Sequence, residues 1–211
     1  MFMGNKKRGP SDDHHQTTNG HSAPGPLGEF FLFARNFLKH PDAVGWMLPS
    51  SPFVVDAVLK QVDWDKARVI VEYGPGVGTF TRKLLKKMHP EATLIALEIN
   101  PDFCEFLNKT VADPRLRLVQ ESATEVEPVL KRMGLPGADY VISGIPFKTM
   151  EHDLRDEIVR KTHAALKPDG SFLVYQLSRV VQPYLEKVFS KVARDSQFLS
   201  FIPARMFYCA R

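Results

Sequence analysis

The segment Val71-Glu72-Tyr73-Gly74-Pro75-Gly76-Val77-Gly78-Thr79-Phe80-Thr81 sets glycines at alternate positions, directly after a β-branched run that ends in an acid. Glycines let the main chain turn sharply and admit a ligand against bare backbone, and a helix starting beyond them offers unpaired N–H groups. That combination suits a nucleotide-like cofactor. Dinucleotide-binding loops set the third glycine one residue further on, at what is Thr79 here, whereas this chain has it at Gly78. A second acid, Glu98, closes the next apolar run, where a carboxylate can accept both hydroxyls of a ribose. On its own Glu98 says only "ribose"; with the glycine spacing it specifies the kind of cofactor. The neighbouring Ile99 is placed to pack on an adenine. His14, His15, His40, His89, His152 and His163 have no partners at metal-ligand spacing, and no metal is expected.

These residues need strands and helices to hold them. Arg68 to Glu72 is a β-branched run, followed by a helix over Thr79 to Met88. Strands are predicted over Thr93–Glu98, Arg115–Val119, Asp139–Ser143 and Ser171–Gln176. Helices are predicted over Asp102–Val111, Glu125–Met133, Glu151–Leu166 and Pro183–Val192. Repeated βα units imply a parallel sheet with helices on both faces, so the fold class is a doubly wound α/β domain. Gln197–Phe201 and Arg205–Cys209, separated by Ile202-Pro203-Ala204, form an edge hairpin, which makes the sheet seven-stranded and mostly parallel. Residues 1–26 are rich in Gly, Pro, Ser, His and charge, and are expected to be a disordered tail. Residues 27–62 are expected to form helices and a lid: Leu27 to Leu38 is crowded with Phe and Leu, and Ser51-Pro52 is a helix start. The domain that binds the cofactor is expected over 63–211.

The composition agrees with one soluble domain plus extensions: 211 residues, 44% hydrophobic, 25% charged. Two cysteines, Cys104 and Cys209, exclude a disulfide framework, and Cys104 falls among helical apolar residues as a buried thiol. The absence of a long apolar run excludes a membrane span, and the early Lys-Lys-Arg has no apolar core after it to make a secretory signal. A net charge of +4 fits an anionic partner and equally an ordinary basic surface.

The Gly-x-Gly-x-Gly loop with Glu72 ahead of it resembles the cofactor loop of class I S-adenosylmethionine-dependent methyltransferases. Together with Gly45-Trp46-Met47-Leu48-Pro49-Ser50-Ser51, Glu98 and Ser143-Gly144-Ile145-Pro146-Phe147, it resembles bacterial phospholipid N-methyltransferases, a family similar to rRNA adenine dimethyltransferases. The resemblance runs from about Phe30 to the C-terminus. It implies S-adenosylmethionine as cofactor and S-adenosylhomocysteine as product. It also implies cofactor contacts from Ser50, Ser51, Glu72, Gly74, Pro75, Gly76, Gly78, Thr79, Phe80, Glu98, Ile99, Ser122, Ala123 and Ser143, with Glu72 facing the methionine ammonium. Many methyltransferases carry Asp after the third strand to bind the adenine amino group. Here Ser122 stands in that place, with Glu121 as a rival.

At the end of the fourth strand, nucleobase amino-methyltransferases have Asn or Asp, then Pro, Pro and an aromatic. Ser143 and Ile145 depart from that pattern and argue against a nucleobase. The acceptor is expected to be positioned by Ser143, Gly144, Ile145, Pro146, Phe147 and Tyr175. Phe147, Tyr140, Tyr175 and Trp46 form a possible aromatic surround for methylated, cationic intermediates. Arg179 and Lys148 follow strand ends, where they can hold a lipid phosphate.

The implied reaction is methylation of phosphatidylethanolamine toward phosphatidylcholine. An rRNA or DNA adenine, an ornithine lipid and a small amine are the alternatives, and a nucleic-acid partner is not expected. The Phe-rich helix is placed to dock on an anionic membrane surface, since each fully buried Phe or Leu is worth roughly 1.5–3 kcal/mol. The expected location is cytoplasmic, peripheral to the inner face of the cell membrane. Headgroup, number of methyls and oligomeric state have no signature in the sequence.

Overall fold

The structure is a computed structural model that describes Met1 and residues 52–199 and 202–211. Strand β1 (Val69–Tyr73) is buried along its whole length, as a strand covered by helices on both faces must be. It pairs in parallel with β2 (Thr93–Leu97) on one side and β4 (Ala138–Ser143) on the other. β3 (Leu116–Val119) extends the sheet beyond β2, and β5 (Leu166–Gln176) beyond β4, both parallel. β6 (Lys191–Leu199) and β7 (Ile202–Ala210) form an antiparallel hairpin, and β7 pairs antiparallel with β5. The seven-stranded order is β3-β2-β1-β4-β5-β7-β6. The doubly wound, mostly parallel sheet expected from the βα alternation is therefore the observed fold.

Two apolar layers flank the sheet. α1 (Pro52–Leu59) and α2 (Thr79–Lys87) cover one face, with Val55, Val58, Phe80 and Leu84 packed on Ile70, Leu94, Ile142 and Leu173. α4 (Val126–Arg132), α5 (His152–Ala165) and α6 (Gln182–Val188) cover the other, with Val129, Val159 and Leu185 packed around Val71, Val141 and Phe172. α3 (Pro101–Thr110) runs beside β3 and buries Phe103, Cys104 and Leu107. Both cysteines are free and buried.

Four boundaries differ from the sequence reading, one of them that of β7, which begins at Ile202 and takes in the Ile202-Pro203-Ala204 expected to separate the hairpin strands. The helix expected over Pro183–Val192 stops at Val188, and β6 begins at Lys191, well before the expected Gln197. Lys191-Val192-Ala193-Arg194-Asp195-Ser196 carries charge in place of an apolar run, and such charge is typical of a protected sheet edge. β5 starts at Leu166 rather than Ser171, with its register against β4 shifted between Ala138 and Tyr140. The calls on the tail and on the Phe-rich helix lie outside the described residues, and so do Trp46, Ser50 and Ser51. No described helix is long and apolar enough to cross a membrane.

Asp139 ties the sheet together at its amino end. Its carboxylate accepts hydrogen bonds from the backbone N–H of Arg68 (2.9 Å) and Val69 (2.8 Å) and pairs with Lys167 at 2.7 Å. Burial alone would raise its pKa, but Lys167 and the two amides outweigh burial and hold it below the ordinary carboxylate range. A depressed folded-state pKa contributes stability above the unfolded value and loses it as pH falls through the folded one. Asp139→Ala is expected to lower unfolding stability at neutral pH by about 1–3 kcal/mol. Chemical denaturation of both proteins at neutral and acid pH measures this, the difference shrinking in acid.

Candidate active site

The strand order reverses around β1: its loop leads to α2 and β2 on one side, while β4 lies on the other. Doubly wound sheets bind ligands at such a switch point, outside the carboxyl ends of the strands. Gly74, Gly76 and Gly78 all have positive φ, at 66°, 55° and 84°. Two of them also face close neighbours. A Cβ on Gly74 would come within 2.7 Å of Ile145 Cγ2, and one on Gly78 within 2.6 Å of Leu107 Cδ2. The glycine loop thus lies against the loop after β4, as the main-chain bond from Gly144 N–H to the Tyr73 carbonyl (3.4 Å) also records.

Two buried carboxylates frame this loop. Glu72, 3% exposed, accepts a hydrogen bond from Thr81 Oγ1 at 2.8 Å. Burial pushes its pKa up to about 8, opposed by the Thr81 bond and reinforced by the charge of Glu98. Glu98, 5% exposed, accepts from Gly76 N–H at 3.1 Å and from Asn100 N–H at 2.9 Å. Burial raises its pKa too, against the pull of those amides. Asn100 in turn caps α3 by accepting from Asp102 N–H at 2.9 Å. Glu98 therefore braces the glycine loop and the start of α3 together. The next side chain, Ile99, is an exposed apolar residue at 71%.

Beyond β3, Ser122 caps a 3₁₀ turn over Ala123–Glu125 by accepting from Thr124 N–H at 3.2 Å, and Ala123 is buried. Glu121 pairs with Arg132 through Oε1 (2.7 Å), while its Oε2 is buried with no hydrogen-bond partner among the described residues.

The loop after β4 carries Ser143, fully buried, with a hydroxyl that also has no hydrogen-bond partner among the described residues. Gly144 lies under Tyr175, whose Oη would overlap any Cβ there. Tyr175 is half-buried and stacks on Phe80, ring centroids 4.7 Å apart. The structure thus brings together the glycine loop, Phe80, Tyr175 and Ser143-Gly144-Ile145. Two other expected residues do not present their rings with these, although Phe147 N–H donates to the Ile145 carbonyl at 2.9 Å. Phe147 is fully buried in the core and offers no ring to a ligand. Tyr140 pairs with Ile70 in the earlier part of β1, and its hydroxyl accepts from Asp63 N–H at 3.0 Å. It therefore lies away from the carboxyl edge of the sheet and is no part of an aromatic surround.

Three supports escaped the sequence reading. Thr81 holds Glu72; Gln176 Nε2 donates to the Ile145 carbonyl at 2.7 Å; Arg155 Nε donates to the Phe147 carbonyl at 2.8 Å. Thr81 and Arg155 lie 9 and 8 residues from their partners, whereas Gln176 lies 31 away and is brought to Ile145 only by the sheet.

Residues 48–162 match the family model described as ribosomal RNA adenine dimethylase. The chain is 30% identical over 185 residues to the ornithine lipid N-methyltransferase of Singulisphaera acidiphila, covering 87% of this chain and 96% of that protein. It is 24% identical to ribosomal RNA small subunit methyltransferase A of Nostoc, covering 84% of this chain but only 65% of that protein. Solved structures with the same fold include precorrin-6y C5,15-methyltransferase from Geobacter metallireducens, with a TM-score of 0.58 at 20% identity over 78% of this chain and 92% of that one. Human methyltransferase-like protein 13, solved in complex with SAH, has a TM-score of 0.57 at 16% identity over 74% and 78%. At those identities the likeness is one of fold. With the family match spanning more than half the chain, and the lipid methyltransferase nearly all of it, the chain belongs to the ribosomal RNA adenine dimethylase family of S-adenosylmethionine-dependent methyltransferases.

Proposed function

We propose that this chain N-methylates the amine headgroup of a membrane lipid. The observation that carries the reading is the similarity to an ornithine lipid N-methyltransferase over nearly the full length of both chains. The loop after β4 supports it. Ser143 and Ile145 replace the polar and proline positions that suit a planar exocyclic amine, leaving a small hydroxyl and an apolar side chain for a flexible alkylamine.

The residues present fit the cofactor. The glycine cradle admits backbone contact where Cβ atoms would collide, Glu98 offers a carboxylate at the end of β2, and exposed Ile99 beside it gains cover from a stacked adenine. When bound, S-adenosylmethionine supplies an electrophilic methyl on sulfur. Glu98 accepts hydrogen bonds from the ribose hydroxyls and Glu72 holds the methionine ammonium, directly or through water. Ser122 and Ala123 border the adenine, and the Ser143 hydroxyl gains the partner it lacks from the amine or the cofactor. Tyr175, fixed on Phe80, lines the acceptor side. Catalysis by these groups is mainly positioning: an uncharged amine is held in line with the methyl. A low-dielectric surround favours the neutral amine over ammonium.

Phosphatidylethanolamine and an ornithine lipid both present a primary amine on a short carbon chain. Labelled S-adenosylmethionine, supplied with phosphatidylcholine vesicles doped with one or the other, separates them. Label is expected in at least one doped vesicle and none in the undoped control; label in neither overturns the reading. The reading places the enzyme at the cytoplasmic face of the cell membrane, held there by the Phe-rich segment before residue 52.

A further inference from the structure

We infer that a pocket at the sheet edge formed by the carboxyl ends of β5 and β6 and the amino end of β7 binds the anionic group of the acceptor, the phosphate or carboxylate carried by the lipid headgroup. This rests on the lipid reading above and names the part of the substrate that lies away from the reacting amine.

The pocket has a volume of about 200 Å³ and is lined by Arg179, Arg194 and Arg205, with Gln182, Ser196 and one acid, Asp195. Three guanidinium groups face one carboxylate there. Arg194 reaches Glu186 at 3.6 Å, an exposed pair. No hydrogen bond or ion pair from the side chains of Arg179 or Arg205 is found among the described residues. Guanidinium presents a planar fork that matches the oxygens of a carboxylate or phosphate, and like charges gathered in one pocket are relieved by an anion.

Sheet register links this pocket to the acceptor loop. Gln176, Arg205 and Ser196 stand opposite one another across β5, β7 and β6, and Val174, Phe207 and Arg194 form a neighbouring row. Residues opposite one another share a face, as do alternate residues along a strand, so Arg205 and Arg194 emerge on the face that carries Gln176. Gln176 Nε2 donates to the Ile145 carbonyl, so the row that carries Arg205 ends on the loop that receives the amine. At about 4.8 Å between strands, Arg205 sits roughly 10 Å from the strand bearing Ser143. That span is filled by a short aminoalkyl chain and an arginine side chain.

The test uses R179Q/R205Q, which changes two partly or fully exposed side chains and leaves the cofactor loop and the residues lining the amine site intact. Both proteins are assayed in neutral-detergent micelles with three acceptors: an amine lipid bearing phosphate, an amine lipid bearing carboxylate, and a long-chain alkylamine bearing neither. The variant is expected to lose roughly ten- to a hundredfold in kcat/KM, through KM, on the lipid whose anion occupies the pocket. Its turnover of the alkylamine and its cofactor affinity are expected to be unchanged. Which lipid suffers identifies the anion. Equal losses on all acceptors, or no loss on any, overturn the inference.

If wild-type protein methylates none of the lipids, the lipid reading itself has failed, and calorimetric titration with inorganic phosphate and with acetate decides the pocket separately. Binding that is lost in R179Q/R205Q sustains an anion site; identical titrations refute it.

Discussion

Glu72→Gln is expected to abolish the rise of S-adenosylmethionine affinity with pH below about 8 and to weaken binding near pH 8 by roughly a hundredfold, the loss of one charge-assisted contact in a buried site. The cofactor-free carboxyl has its pKa pushed up to about 8 by burial, so at pH 7 it is mostly protonated. An α-ammonium titrates at about 7.7–8.0 and is charged there. Bringing that ammonium to Glu72 favours the carboxylate, so binding below pH 8 releases about one proton and tightens by up to about tenfold per pH unit. Above pH 8 the free amine must regain its proton, and affinity falls again. Calorimetry in buffers of different ionisation enthalpy measures the released proton directly, and in Glu72→Gln that release disappears.

The stability of the free protein moves the other way. A carboxyl with a raised folded-state pKa keeps its proton while the unfolded chain ionises, so the folded state loses stability as pH rises from the ordinary carboxylate range to about 8. Glu72→Gln is expected to melt higher than wild type at pH 8 and to show a flatter pH profile. A variant that is more stable yet binds cofactor worse marks a residue held for its ligand and not for the fold.

Glu98 produces the second large effect, and here ligand and scaffold are entangled. Its carboxylate already engages Gly76 N–H and Asn100 N–H, so it holds the glycine loop and the α3 start before any ribose arrives. Glu98→Ala is expected to weaken cofactor binding by roughly a hundredfold or more, two hydrogen bonds to a charged group being lost, and to lower the melting temperature as well. Glu98→Gln keeps the volume but only one of the two acceptor oxygens that Gly76 N–H and Asn100 N–H use, and is expected to melt between Glu98→Ala and wild type while binding cofactor at least tenfold more weakly. Dye-monitored melting with and without cofactor separates the two variants. If Glu98→Gln binds as wild type does, Glu98 is a brace and nothing more.

Much of the architecture was legible because it is written locally. The apolar runs ending at Glu72, Glu98 and Ser143 and the glycine triplet locate the switch point without any tertiary information. The edge hairpin was legible from Gln197 onward, but the start of β6 was not, since Lys191 to Ser196 has the charged composition of a protected edge and its first residues read as the tail of a helix. The early start of β5 at Leu166 was hidden because Leu166 pairs with Ala138 ahead of an irregularity, Lys167-Pro168-Asp169-Gly170, beyond which the ladder resumes at Ser171. The positions of the two carboxylates and of the loop after β4 followed from spacing alone. What spacing could not supply were contacts made by sheet register and helix packing, such as Gln176 on Ile145, Arg155 on Phe147, and the row that assembles Arg205 with Ser196. Nor could it show that Phe147 is sealed in the core or that Tyr140 lies away from the carboxyl edge, because strand and loop residues adjacent in sequence can end on opposite sides of a sheet.

The acceptor itself is decided most directly by one tube containing labelled S-adenosylmethionine, vesicles carrying phosphatidylethanolamine and ornithine lipid, and small-subunit rRNA, followed by separation of lipid from RNA. Label in the lipid phase, lost in Glu98→Ala, is the predicted result. Label in the RNA with none in lipid would contradict lipid amine methylation and make this chain a nucleobase methyltransferase like its ribosomal relatives.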